Sequence, residues 1–445
     1  MKSVILCLLL ASTCLANPSD YFLVQVIDDQ TNRGVPLVEL QTVNNIRHYT
    51  DSNGYIAFNE PGLMDRPVWF SIKSHGYEFP KDGFGYAGKA LTTTPGKTAV
   101  LKIHRVNIAE RMYRMTGQGI YADTILAGKK SPIEEPLLNA RVLGQDSVIT
   151  AIYQNKIYWF WGDTNRDDYP LGHFGTSFAT SEIGEDPAVG INLHYLMDEK
   201  GFSKPVFHFA EPGAVWIGGA VVCKDETGKD RLVVHYSRMK DLGTMLEHGL
   251  AVFNDETKSF ERLVVLPKEE HRYPDGHSFL HDGYFYFSTP FPLLRVKADW
   301  KHLINPKSYE KLGEKPKLKD IATGNLIEMH GGSVFYNDFL HRWVLIAVQM
   351  KGDKSLLGEV WFASAPAPNG PWSKAIKIVT HDKYTFYNPV HHPFLDQENG
   401  RLIYFEGTYA NTFSGNPDQT PRYDYNQLMY RLDLGDPRIK AIEVR

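Results

Sequence analysis

The stretch Gln145-Asp146-Ser147-Val148-Ile149-Thr150-Ala151-Ile152-Tyr153-Gln154-Asn155-Lys156-Ile157-Tyr158-Trp159-Phe160-Trp161-Gly162-Asp163-Thr164 decides how the rest of the chain reads. An apolar run follows Asp146, Gln154-Asn155 supplies turn chemistry, and an aromatic-rich run returns to Gly162-Asp163, which together predict a β-hairpin. One arm starts at Asp146 and the antiparallel other ends at Asp163. The two carboxylates therefore meet at one sheet edge, within one or two strand spacings of ~4.8 Å. Two acidic groups at one rim suggest acid–base chemistry. Taken singly, each Asp also fits a plain turn-forming role.

The same plan recurs downstream. Strand starts bearing Gly or His appear at Gly218-Gly219-Ala220, Asp275-Gly276-His277-Ser278, His330-Gly331-Gly332-Ser333 and Asn388-Pro389-Val390-His391-His392, so markers at 146, 219, 277, 332 and 391 are spaced by 73, 58, 55 and 59 residues. Each is followed by a second apolar strand, such as Leu232-Val233-Val234-His235-Tyr236 or Tyr284-Phe285-Tyr286-Phe287-Ser288, and by a third at 176–180, 249–253, 293–297, 359–363 and 427–432. Four-stranded units at this period predict a β-propeller of five blades. The last repeat nearly reaches Arg445, so the segment beginning Glu110-Arg111-Met112-Tyr113-Arg114-Met115 is expected to close the ring as an outer strand.

In a propeller, inner strands begin and second strands end on one face of the disc. That face collects Asp146, Asp163, His235, Arg238, Asp275, His277, His330, Gln349, His391 and Glu406, and third-strand starts add Glu247, His248 and Glu359. Any one of these is more simply a solvated strand end. Their convergence on one funnel is what points to function. Long loops at 164–175 and 408–426, carrying Arg166 and Tyr409, sit over the same face, and Trp159, Trp161 and Trp216 offer an apolar wall.

The chain has 445 residues, 42% hydrophobic and 22% charged, with a formal net charge of −4. Such a chain has ample core for two domains. Without a basic cluster it lacks a nucleic-acid footprint. Residues 1–16 read as a secretory signal peptide, with Lys2, an apolar run from Val4 to Leu10 and small residues up to Ala16. No later run has the ~20 apolar residues of a membrane span. The mature protein is expected to be secreted or periplasmic, soluble and monomeric. Cys7 and Cys14 leave with the signal, which isolates Cys223 and excludes an internal disulfide.

Residues 17–106 alternate in short strands and polar turns, a small β-sandwich. Gly34-Val35-Pro36 and Thr50-Asp51-Ser52-Asn53-Gly54-Tyr55-Ile56 carry a resemblance to the transthyretin-like or carboxypeptidase-regulatory-like accessory domain. That resemblance implies a supporting or polymer-contacting role without catalysis.

Residues 107–445 form the propeller domain. A strand-initial Asp146 followed by Trp161-Gly162-Asp163-Thr164 resembles the five-bladed propeller glycoside hydrolases, the endo-D-arabinanase-like group first and the arabinanase and β-xylosidase group more distantly. The latter resemblance implies that Asp146 is a general base, another Asp tunes it and a middle-blade Glu is the acid. The usual Arg-Asp-Pro of the first blade is absent, and the D-arabinanase-like relatives imply instead that the first-blade Asp pair carries the reaction. The expected catalytic residues are Asp146, Asp163 and Glu359. The expected substrate contacts are Arg166, Trp216, His235, Arg238, His248, Asp275, His277, His330, His391, Glu406 and Tyr409, with a poly- or oligosaccharide as partner.

Glycoside cleavage needs two carboxyl groups, about 6.5–9.5 Å apart for inversion and about 5–5.5 Å for retention, and inversion is the expectation here. No cofactor is required. His277, His330, His391 and His392 come from three blades near the axis and leave room for a structural ion such as Ca²⁺ in the channel, although no short-spaced ligand pair supports zinc. Two rival readings use the same funnel: a carbohydrate-binding propeller without catalysis, and a polysaccharide lyase or esterase built on His and Arg. The absence of Gly-x-Ser-x-Gly weighs against the esterase.

Overall fold

The computed structural model describes residues 17–170 and 172–442. The expected signal peptide lies outside the described residues. Strands Ile149–Tyr153 and Lys156–Trp161 pair antiparallel from Ile149 opposite Phe160 to Tyr153 opposite Lys156. Gln154 and Asn155 between them have φ of 50° and 58°, as a two-residue hairpin turn that follows the sheet twist requires. The hairpin is therefore as expected, and Ser177–Glu182 and His194–Tyr195 complete its sheet.

Four more four-stranded sheets follow in the same inside-to-outside order. Their inner strands are Ala214–Lys224, His277–His281, Met329–Asn337 and Thr385–His391. The ring is closed by the early strand Glu110–Arg114, which pairs with Asn426–Asp433 as the fourth strand of the fifth blade. The closure buries Met112 and Tyr113 against Trp159, Trp161, Tyr404 and Met429, so the first and fifth blades share one apolar cluster. First and second blades meet in another, through Phe160, Phe178, Val234, Phe253 and Phe260. Trp159 packs in the cluster shared by the first and fifth blades and donates its Nε1–H to Ser181 Oγ at 2.8 Å.

Two strand starts differ from the sequence reading. The fifth inner strand begins at Thr385, in the run Tyr384-Thr385-Phe386-Tyr387, and His391 is its last residue. Asn388-Pro389, which reads as a start, is a bulge between Tyr387 and Val390, with Asn388 at φ 49°. Likewise Gly218-Gly219 is a mid-strand irregularity in Ala214–Lys224.

Before the propeller, strands Tyr55–Phe58, Phe22–Asp28, Thr98–Arg105 and Tyr77–Glu78 form one sheet, and Arg47–Tyr49, Glu39–Thr42, Pro67–Lys73 and Gly88–Thr92 form another. Val24, Val26, Leu40, Phe58, Phe70 and Ile103 fill the space between them. The two quoted motifs touch: a Cβ on Gly34 would stand 1.9 Å from the Asn53 carbonyl oxygen. This sandwich is tied to the propeller by Arg111, whose guanidinium donates to the Pro36 carbonyl at 2.8 and 3.0 Å and to the His75 carbonyl at 3.1 Å.

Candidate active site

At the top of the first hairpin Asp146 and Ser147, the latter at φ 53°, lie between the strands Val142–Gln145 and Ile149–Tyr153. Asp146 and Asp163 lie together at the hairpin mouth, as expected. The Asp146 carbonyl accepts from Gly162 N–H at 2.7 Å, and Asp146 Oδ1 accepts from Asp163 N–H at 3.0 Å. Asp146 Oδ2 accepts from the Tyr387 hydroxyl at 2.9 Å, and the Tyr425 hydroxyl also engages this carboxyl. Asp163 Oδ1 instead accepts from Trp216 Nε1–H at 2.9 Å. One carboxyl is thus held by the fifth blade and the other by the second.

Both open into a cavity of about 650 Å³. Trp216, His330, Leu357, Tyr387, Phe413 and Tyr425 add walls from the second, fourth and fifth blades and their loops. Burial, with the negative charge of Asp163 second, pushes the Asp146 carboxyl up to about 6. Burial raises Asp163 too, while the Trp216 donor opposes it. With its carboxyl pushed to about 6, Asp146 is suited to carry a proton near that pH.

Of the substrate contacts read from sequence, Trp216 and His330 line this cavity. His235 stacks on Tyr273 with centroids 3.8 Å apart, and its Nε2 faces His248 Nδ1 at 3.1 Å. His248 Nε2 donates to the Pro267 carbonyl at 2.8 Å, so Nδ1 is the acceptor in that chain. Arg238 donates to the Pro212 carbonyl at 2.6 Å and Arg166 faces Asp168 at 3.2 Å. Asp275 accepts from Gly276 N–H at 2.9 Å. None of these lines the cavity.

The deeper residues are enclosed. His391 is bound to Asp396 at 2.8 Å, and His392 to Glu406 at 2.8 Å with both side chains fully buried. Burial pushes Glu406 up to about 8 and His392 down to about 3, each towards its neutral form. His277 is lowered to about 3, by burial first and His392 second. Tyr409 is buried at the sandwich junction, with His75 Nε2 2.9 Å from its hydroxyl. Among the described residues no group of three or more His, Cys, Asp or Glu side chains is placed to hold a metal ion.

Glu359 is 1% exposed. Its Oε1 lies 2.5 Å from Lys377 Nζ and its Oε2 accepts from Asp353 N–H at 3.2 Å. It does not reach the cavity, whose nearby wall is Leu357. A strand-start carboxylate looks free in sequence, but the fourth strand of its own blade brings Lys377 onto it. Conversely Tyr387 and Tyr425 were missed. A reading that began the fifth inner strand at Thr385 would have put Tyr387 on the funnel.

No protein-family model matches the chain, and no curated protein matches it. Among solved structures it is similar to a GH43 β-1,3-galactosidase bound to galactodeoxynojirimycin, at 13% identity and TM-score 0.40 over 68% of this chain and 93% of that one. A putative exo-β-1,3-galactanase from Bifidobacterium bifidum matches at 12% and 0.40, over 74% and 94%. An endo-1,5-α-L-arabinanase from Thermotoga petrophila matches at 14% and 0.35, over 68% and 73%. These likenesses are weak.

Proposed function

We propose that this protein is a secreted glycoside hydrolase that cleaves a poly- or oligosaccharide in the central cavity, with Asp146 and Asp163 as its catalytic pair. The observation that carries the reading is the pair itself: two carboxyls at one hairpin mouth, both raised by burial, facing a cavity of about 650 Å³. Asp146, pushed up to about 6, holds a proton and passes it to the glycosidic oxygen as the bond to the anomeric carbon breaks. Asp163 takes a proton from the water that attacks that carbon.

Inversion is part of the proposal. Asp146 is drawn toward Tyr387 and Asp163 toward Trp216, and side chains splayed in this way favour the wider separation that an intervening water needs. Trp216 and Phe413 give the cavity flat apolar surface for sugar rings.

The test is digestion of a glycan panel by the wild-type protein and by Asp163→Asn, with product analysis by NMR. Release of new reducing ends of inverted configuration, absent in the variant, is expected. Sugar binding without turnover in the wild type would overturn the reading.

A further inference from the structure

A second cavity, of about 250 Å³, lies where the sandwich meets the propeller and is lined in part by Arg47, His48, Asp51, Arg114, Asp123 and Arg422. Its acceptors are already engaged. Asp51 Oδ1 accepts from the N–H groups of Asn53 at 3.0 Å and Tyr55 at 3.1 Å, and Oδ2 accepts from Thr124 N–H at 2.6 Å. Asp123 Oδ1 accepts from Ala57 N–H at 2.9 Å and Oδ2 from Arg422 Nη1 at 3.3 Å.

Its donors are not. Arg114 is 1% exposed and gives only Nη2 to a protein acceptor, the Gln118 carbonyl at 2.5 Å. Its Nε and Nη1 are buried without a hydrogen-bond partner. The Tyr423 ring, 4.6 Å below the guanidinium, meets its face and not these N–H groups. His48 Nε2 is likewise buried and unpartnered, with Glu60 Oε1 at 3.6 Å, beyond hydrogen-bond range. A buried guanidinium left with free donors is costly, and native proteins normally supply the missing acceptor.

We propose that this cavity binds a small oxyanion, a carboxylate or a tetrahedral sulfate or phosphate. Arg114 Nε and Nη1 and His48 Nε2 supply the inner donors, and Arg422, half-exposed at the mouth, adds charge. Arg422 belongs to segment 411–425, which also carries Phe413 and Tyr425 of the central cavity. An occupant would tie that segment to the sandwich.

Isothermal titration of the full chain with sodium sulfate, sodium phosphate and sodium galacturonate, each against sodium chloride at matched ionic strength, tests the site and separates the carboxylate from the tetrahedral source. Saturable one-site binding of at least one anion is expected, weakened at least tenfold in Arg422→Gln and in His48→Gln and lost in Arg114→Gln. Arg114 sits in the closing strand and its variant can fail to fold, so the other two carry the test without it. Heats no different from chloride, which would mean that an ordered water alone fills the site, overturn the proposal. So does saturable binding that is unchanged in Arg422→Gln and His48→Gln.

Discussion

The Tyr387 hydroxyl donates to Asp146 Oδ2 at 2.9 Å across the seam between the fifth and first blades. This bond stabilises the ionised carboxyl and so holds down a group that burial and Asp163 push up to about 6. If Asp146 must carry the proton, kcat/KM falls as pH rises through about 6. Tyr387→Phe removes the opposing donor, and its alkaline limb should move to higher pH. A pH–rate profile of both proteins on one glycan checks this, and an unmoved limb assigns the proton to another group.

The same shift has a consequence for stability. The folded protein holds the Asp146 proton more tightly than the unfolded chain, whose carboxyl stays near 3.8. The stabilisation from Asp146 is therefore complete below about pH 4 and is lost as pH rises through about 6. Asp146→Asn has no such proton to lose, so its melting temperature relative to wild type should climb between pH 4 and 7. A constant difference across that range would mean the carboxyl is not raised.

Much of this architecture is legible in local sequence. The hairpin follows from Gln154-Asn155 between two apolar runs, and the blade count follows from its recurrence. Asp146 and Asp163 were legible because both belong to one hairpin. Tyr387 was not, because only ring closure brings it to a residue far away in the chain, and the Asn388-Pro389 bulge disguises its strand. Glu359 was misplaced for the related reason that a partner such as Lys377 is supplied by strand pairing, which one strand's pattern does not reveal.

Glu359 is thus predicted to be structural. Glu359→Gln breaks a buried contact to Lys377 and should cost about 1–3 kcal/mol of stability. Lys377 is 36% exposed in its side chain and can turn to water, which keeps the loss at that level. The ratio of rates on an activated aryl glycoside and a natural glycan should not change. A selective loss on the natural glycan would return Glu359 to the mechanism.

Ring closure makes its own demand. Removing residues 113–122 takes away Tyr113 and Arg114, two of the five residues of the strand Glu110–Arg114, and leaves Leu428 and Met429 without their partners along that edge. An open apolar edge is a template for pairing with another chain. Light scattering should show self-association of the truncated protein, and its melting temperature should drop. A truncated protein that stays monomeric and equally heat-stable would mean that the strand is not needed to close the ring.

The sharpest prediction concerns the pair. Asp163 N–H donates to Asp146 Oδ1 at 3.0 Å, and the charge of Asp163 helps to raise Asp146, so in the proposed mechanism the two act as a unit. Replacing either by Asn should lower turnover by several powers of ten, and replacing both should cost little more than one replacement, because groups that act as a unit are strongly non-additive. Folding should change far less, since the backbone bonds that hold the hairpin mouth survive in the variants. Asn also keeps an oxygen that can accept from Tyr387 or Trp216. The measurement is turnover of the two single variants and the double variant on the glycan identified in the panel, beside their melting temperatures. Near wild-type activity in either single variant, or losses that multiply in the double variant, would separate the two residues and leave the cavity as a place for binding alone.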